Sequence, residues 1–163
     1  MDFVYIGKIV GTHGIKGEIR ILSNFDKKEL VFVPHQTIYV GNQKEKLVIT
    51  SYRKHKNFDM ITLEGYDNIN QVLIYKNMSV YVLRSDLHLN KNDYVIDDLL
   101  GMKICSNLKE YGVVHDIYSQ AGKILLEIIF DKKYYIPYND RYIKKVNLEQ
   151  KTIEVVDVED LIL

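Results

Sequence analysis

The sequence is poor in the residues that cross-link small proteins or hold metals, since Cys105 is its one cysteine among 163 residues. A lone cysteine excludes an intramolecular disulfide and any metal site built from several cysteines, and it fits a reducing compartment. The five histidines are scattered, with no pair at the spacing of metal ligands, so we expect no metal site and no cofactor. Tryptophan is absent beside thirteen tyrosines, and the tyrosine count alone identifies no aromatic binding face.

Long apolar runs are also missing, because no stretch approaches the length that crosses a bilayer. Met1 leads directly into "DFVYIGKIV", with neither a basic start nor a small-residue cleavage site. We therefore expect a soluble, cytoplasmic protein with no membrane partner. We also expect a monomer.

Net charge is absent from the chain as a whole, because 22 basic and 22 acidic side chains balance. Global attraction to phosphate backbones is therefore excluded as the basis of binding. The balance is uneven along the chain. Residues 1–90 carry 12 basic and 9 acidic side chains, net +3, and residues 91–163 carry 10 and 13, net −3. The N-terminal half is the better candidate for contact with RNA.

What the sequence does contain is a series of short β-branched and aromatic runs separated by turn residues. In "EIRIL" the alternation predicts that Ile19 and Ile21 face inward while Glu18 and Arg20 face water. One interruption, "DNINQVLIYKN", has helical spacing after a candidate cap at Asn68 and predicts a short helix that closes a barrel.

A polar segment divides the strand pattern into two halves. We predict an N-terminal β-barrel over residues 1–84, a linker over 85–92 and a second small β-barrel over 93–163. The fold class is therefore all-β, with one or two short helices. Pro137 in "YYIPY" lacks a backbone donor, so we expect it at a sheet edge or strand end.

The segment "GKIVGTHGIKGEIR", residues 7–20, places three glycines between two apolar runs. A dinucleotide or phosphate-binding loop needs a helix after the glycines, but here a strand follows, so we reject that function. The RNA-binding KH clamp fails for a similar reason, since its loop joins two helices. A hairpin with positive φ at Gly14 and Gly17 explains the glycines. It does not explain Thr12, His13 and Lys16.

A second basic segment, "YRKHKN" at residues 52–57, lies in a predicted hairpin and carries Arg53, Lys54 and Lys56. Two interpretations stay open: a solvated turn, or a patch that faces phosphates.

The N-terminal motif "GKIVGTHGIKGEIRI" resembles the opening signature of the RimM family of ribosome maturation factors. The segments "DYVIDDLLGMKI", "YGVVHDIY" and "YYIPYNDRYIKKVNLEQKTIEVV" resemble the PRC barrel of the same family, so the likeness covers nearly the whole chain. It implies a six-stranded N-terminal barrel, a linker and a PRC barrel. It also implies a factor that binds the immature 30S subunit and promotes assembly of its head and processing of 16S rRNA, without covalent catalysis.

The resemblance implies ribosomal protein uS19 and nearby 16S rRNA as partners. The family commonly carries two adjacent aromatic residues at the start of the PRC domain, and here Tyr94 is followed by Val95 instead of a second aromatic. The candidate residues for contact with RNA or protein are Thr12, His13, Gly14, Lys16, Gly17, Arg20, Arg53, Lys54, Lys56 and Tyr94.

Two other functions remain as alternatives. One is an RNA-modifying or RNA-cleaving enzyme that pairs His13 or His115 with a carboxylate, although the sequence contains no convergent acid–base set. The other is a PRC-barrel interaction module without a ribosomal role, which leaves the N-terminal motif unexplained.

Overall fold

The computed structural model describes residues 2–120 and 122–162. The chain divides into two compact units, Met1–Lys91 and Asn92–Leu163. Each unit is built around one six-stranded sheet. Among the described residues, none of the helices combines the length and apolar character needed to cross a membrane.

The first unit is a closed antiparallel barrel with the strand order β1-β2-β5-β4-β3-β6. Its strands are β1 Phe3–His13, β2 Glu18–Leu22, β3 Thr37–Val40, β4 Glu45–His55, β5 Phe58–Leu63 and β6 Ser79–Leu83. The inward face predicted for β2 is confirmed, because Ile19 and Ile21 are fully buried, whereas Glu18 and Arg20, which were predicted to face water, are half-buried. Arg20 and Glu18 therefore extend from the opposite face of the strand.

The predicted helix is confirmed as α1, Ile69–Val72. The Asn68 side chain accepts a hydrogen bond from the N–H of Asn70 at 3.0 Å, and the Gln71 side chain accepts from the N–H of Asn68 at 3.2 Å. These reciprocal bonds cap a helix that is too short to be stable alone. Shorter 3-10 helices span Lys28–Leu30, Leu73–Tyr75, Arg84–Leu87, Ile96–Leu99 and Glu159–Leu161.

The start of the predicted linker packs on the first unit. The 3-10 helix Arg84–Leu87 buries Leu87, and the N–H of Arg84 donates to the carbonyl of Asp2 at 2.9 Å. The Gln36 side chain also donates to the Asp86 carboxylate at 3.3 Å. These contacts place residues 84–87 in the first unit, whose boundary lies at Lys91.

The second unit has the strand order β10-β9-β8-β7-β12-β11, with β12 parallel to β7 and the other pairs antiparallel. Its strands are β7 Lys103–Ser106, β8 Lys109–Gln120, β9 Lys123–Ile129, β10 Lys133–Pro137, β11 Ile143–Asn147 and β12 Thr152–Val155. Pro137 ends β10, which is an outer strand in this order, as predicted from its missing donor. The core contains Leu99, Met102, Ile104, Val114, Leu126, Ile128, Tyr134, Ile136, Ile153, Val155 and Val158.

Candidate nucleic-acid interface

The glycine-rich segment forms the turn of the β1–β2 hairpin, as the sequence predicted. His13 pairs with Glu18 at the end of the ladder, and Gly14 and Gly17 have φ of 69° and 89°. Gly17 is buried against the backbone of Asn68, whereas Ile15 is 78% exposed at the turn. The carbonyl of Ile15 accepts the N–H of Ile69 at 2.9 Å. The first residue of α1 therefore holds this loop in place and leaves its tip open.

The segment "YRKHKN" forms the end of the β4–β5 hairpin, and its side chains meet those of the glycine-rich hairpin. Lys56 lies in the turn with φ of 55°, next to the terminal pair of His55 and Phe58. The ring centroids of His13 and His55 are 5.3 Å apart. Two segments that are some forty residues apart in the sequence thus contribute to one surface.

Arg53 is neutralised by a carboxylate of the facing hairpin. Its Nη2 and Nε lie 2.6 and 2.8 Å from the two carboxylate oxygens of Glu18. Hydrogen bonding to Arg53, with the guanidinium charge, holds the pKa of Glu18 below its usual value despite partial burial. This pair of hydrogen bonds fixes both side chains. Arg53 therefore links the two hairpins and is not free to bind an anion.

Lys54 is also directed toward a carboxylate, that of the fully buried Asp59, with 3.7 Å between its Nζ and Oδ1. Asp59 has two closer partners, the Nζ of Lys28 at 2.8 Å and the hydroxyl of Tyr52 at 2.6 Å. Burial and the Asp59 carboxylate raise the pKa of Tyr52 to about 12. The buried Asp59 carboxylate is thus satisfied by donors around it, as buried polar groups usually are. Lys54 is oriented toward this carboxylate and not toward solvent alone.

The remaining predicted residues differ in their exposure. Lys16 and Lys56 are exposed, and Gly14 is exposed beside Lys16. Thr12 is half-buried within β1, opposite Ile19. Arg20 is half-buried, with its guanidinium 5.7 Å from the centroid of the Phe58 ring. Within the described residues, three cations on the surface formed by the two hairpins therefore have no carboxylate partner. They are Lys16, Arg20 and Lys56.

The predicted contact residue of the second unit, Tyr94, is half-buried and packs against the core of that unit. Its hydroxyl is hydrogen-bonded to the hydroxyl of Tyr138. Val95 is buried, and its N–H donates to the Asp98 carboxylate at 3.0 Å. The apolar side chain that replaces the second aromatic of the family pattern therefore belongs to the core.

A polar cluster on the second unit was not predicted from the sequence. Glu127 is only 2% exposed, and its carboxylate accepts from the hydroxyl of Tyr118 at 2.8 Å and pairs with Nδ1 of His115 at 2.9 Å. The Nζ of Lys133 lies 3.6 Å away. Hydrogen bonds from Tyr118 and His115 lower the pKa of Glu127. His115 thus has a carboxylate partner, but it is Glu127 of the neighbouring strand and not the adjacent Asp116.

We expect Tyr94→Ala to lower the free energy of unfolding by about 2 kcal/mol, because the substitution removes an aromatic ring that is about half-buried against the core. We also expect it to weaken binding to small ribosomal subunits beyond what the reduced stability explains. The matched control is Tyr142→Ala, which removes another half-buried tyrosine from the same core. Thermal unfolding and subunit co-sedimentation of both variants test this, and equally weakened binding in the two would assign Tyr94 to the core alone.

Comparison with known proteins matches the two units to two domains of a single protein family. The model of the RimM N-terminal domain matches residues 4–87, and the model of the RimM PRC barrel domain matches residues 96–161. A protein named Ribosome maturation factor RimM from Staphylococcus haemolyticus is 36% identical over 164 residues, covering 98% of each chain. A protein of the same name from an Exiguobacterium species is 31% identical, covering 99% of this chain and 98% of its own.

A solved structure of the N-terminal domain of RimM from Thermus thermophilus is 18% identical to this chain, with a TM-score of 0.45, covering 53% of this chain and 95% of its own. The family assignment rests on the two domain models and on the relatives that match end to end. The chain belongs to the RimM family of ribosome maturation factors.

Proposed function

We propose that this protein binds the immature 30S subunit in the cytoplasm, as a monomer, and promotes assembly of the subunit head and processing of 16S rRNA without covalent catalysis. The observation that carries the proposal is the surface where the two hairpins of the first unit meet. There Lys16, Lys56 and Arg20 are cationic side chains with no carboxylate partner among the described residues. Unpaired cations on a rigid hairpin scaffold suit contact with the phosphates of folded RNA.

The two units have different tasks in this proposal. The first unit, with a net charge of +3 in residues 1–90, contacts 16S rRNA of the head. The second unit, with a net charge of −3, contacts ribosomal protein uS19 through apolar surface near Tyr94. Protein contact through partly apolar surface depends less on salt than phosphate contact does, because burial supplies more of its free energy.

Such a protein promotes assembly by binding one arrangement of RNA and protein more tightly than the competing arrangements. A ligand shifts a conformational equilibrium only by its difference in affinity for the two states. A preference of about 3–4 kcal/mol for the mature arrangement of the head changes the ratio of the two arrangements by two to three orders of magnitude.

Co-sedimentation with ribosomal particles tests the proposal. Purified full-length chain is mixed with a cell extract and separated on a sucrose gradient, and the chain is located by immunoblot. We expect it to migrate with free small subunits and to be enriched on immature ones. If the chain stays at the top of a gradient that contains immature small subunits, the ribosomal proposal is wrong.

The enzyme alternative has one specific observation in its favour, the 2.9 Å contact between His115 and Glu127. The same carboxylate also accepts from Tyr118 and lies near Lys133. A carboxylate shared among these donors holds side chains in place on the sheet, so a structural role accounts for the contact. Incubation of wild-type protein and His115→Gln with immature 16S rRNA separates the two functions, because cleavage or modification that requires His115 would favour the enzyme.

A further inference from the structure

One group of side chains on the hairpin surface combines two neighbouring imidazoles with an arginine that has no carboxylate partner among the described residues. It consists of His13 on β1, Arg20 on β2 and His55 on β4, and we call it the imidazole cluster. The rings of His13 and His55 are inclined at 53° with their centroids 5.3 Å apart. Two imidazoles this close disfavour protonation of both at once unless an anion lies near them.

The charged groups that face the imidazole cluster are predominantly cations. Arg53 and Lys56 on the β4–β5 hairpin and Arg20 on β2 act on His55, and Glu18 is the carboxylate that faces both imidazoles. Glu18 is already engaged by both nitrogens of Arg53. Lys54 is directed to Asp59 instead. Burial, then the charges of Arg53, His13, Lys56 and Arg20, lower the pKa of His55.

Arg20 is the member of the cluster whose charge is permanent and not neutralised. Its guanidinium stacks over Phe58, and its Nε is buried with no hydrogen-bond partner among the described residues. A buried donor without an acceptor is uncommon in folded proteins and destabilises them. In contrast, Arg53 on the neighbouring hairpin is fully paired with Glu18. The fold therefore keeps a cation at the cluster for which the described part of the chain supplies no anion.

We propose that Arg20, His13 and His55 bind one phosphate of the RNA backbone, and that the imidazole pair takes up a proton when the phosphate binds. A phosphodiester supplies acceptor oxygens for the guanidinium and for the imidazoles, and an imidazolium donates from both of its nitrogens. The inference deepens the proposed function and rests on it, because 16S rRNA is the source of the phosphate.

The pH dependence follows from the charges. A bound phosphate favours the protonated form of the two imidazoles, because opposite charge stabilises the imidazolium. The complex then holds more protons than the free protein does, so binding tightens as the pH falls and weakens as it rises. Uptake of one proton changes the affinity by about tenfold per pH unit, so full uptake gives roughly thirtyfold between about pH 8 and pH 6.5.

The test uses the full-length chain and a short folded RNA from the subunit head at constant ionic strength. Fluorescence anisotropy gives Kd from about pH 6 to 8.5, and calorimetry in two buffers of different ionisation enthalpy gives the protons taken up. We expect the pH dependence to disappear in the double variant His13→Gln, His55→Gln. Arg20→Gln should weaken binding at every pH.

The matched control is His88→Asn, which removes an exposed histidine of the same unit at a position with φ of 49° that asparagine tolerates. A wild-type pH dependence in the double variant would overturn the proposal. If that variant does not fold, the imidazole resonances of the wild-type chain decide instead, because the pair must be more protonated at a given pH when RNA is present. Unchanged protonation of the pair would overturn the proposal.

Two further measurements distinguish RNA from free phosphate as the ligand, and the proton-coupled site from ribosome binding as a whole. Inorganic phosphate should compete with RNA only weakly, and tight binding of free phosphate without RNA binding would overturn the assignment to RNA. Co-sedimentation with small subunits is repeated at about pH 6.5 and pH 8. Equal binding at both pH values would contradict the proton-coupled site but not the proposed function. No binding at either pH value would contradict the proposed function itself.

Discussion

The variant Gly112→Ala should unfold at a temperature more than about 12 °C below that of the wild type, because it costs about 3 kcal/mol or more. Gly112 lies in β8 with φ of 106°, a conformation that side-chain-bearing residues rarely adopt. A Cβ at this position would overlap the carbonyl oxygen of Ile129 and lie 2.9 Å from Cγ2 of Ile128. Both groups belong to β9 and cannot move without disturbing the central ladder of the second unit.

The matched control for this prediction is Gly101→Ala. Gly101 also has positive φ, 82°, but a Cβ there meets no atom within 4 Å. We expect Gly101→Ala to cost only about 1 kcal/mol, which is the strain of the backbone conformation alone. Thermal unfolding followed by circular dichroism measures both variants. Equal melting temperatures would contradict the close approach of β9 to Gly112.

The strands and the short helix were predictable because their signals are local. Alternation in "EIRIL" reports which face of β2 is buried, and Asn68 and Gln71 identify the start of α1 from their spacing alone. Positive φ at Gly14 and Gly17 was likewise predictable from the turn that must join β1 to β2. Each of these features depends on residues that are only a few positions apart.

The buried carboxylates were not predictable, because their partners come from distant parts of the chain. Asp59 is 31 residues from Lys28, and alternation says nothing about which donors will surround it. Glu127 lies between the buried Leu126 and Ile128, and it owes its own burial to side chains of β8 and β10. A single sequence reveals the face of a strand but not the residues that cover it.

Pairing across the two hairpins also changes the interpretation of the basic turn. The sequence predicts a single basic patch of Arg53, Lys54 and Lys56, and it leaves open whether this patch faces solvent or the phosphates of RNA. The structure divides them, because Arg53 pairs with Glu18, Lys54 approaches Asp59, and Lys56 remains exposed in the turn. A count of charge per segment therefore overstates the cations that are free to meet RNA.

That division leads to the largest expected effect on binding, in the double variant Lys16→Gln, Lys56→Gln. Both lysines are exposed at the tips of the two hairpins, so their removal should leave the melting temperature unchanged. If each lysine contacts one phosphate, affinity for small subunits falls about tenfold or more at low salt. The slope of log K against log salt concentration should become shallower by about one for each lysine–phosphate pair that the substitutions abolish, because fewer counterions are released on binding.

The matched control is Lys46→Gln, Lys76→Gln, which removes the same charge from exposed positions of the same unit outside the two hairpin turns. Net charge alone would weaken binding equally in both double variants, since long-range attraction depends on the sum of charges. Direct phosphate contact would make the salt slope of the hairpin variant shallower and leave that of the control near wild type. Equal slopes in the two variants would show that the hairpin tips do not touch RNA and that the surface facing the ribosome lies elsewhere on the chain.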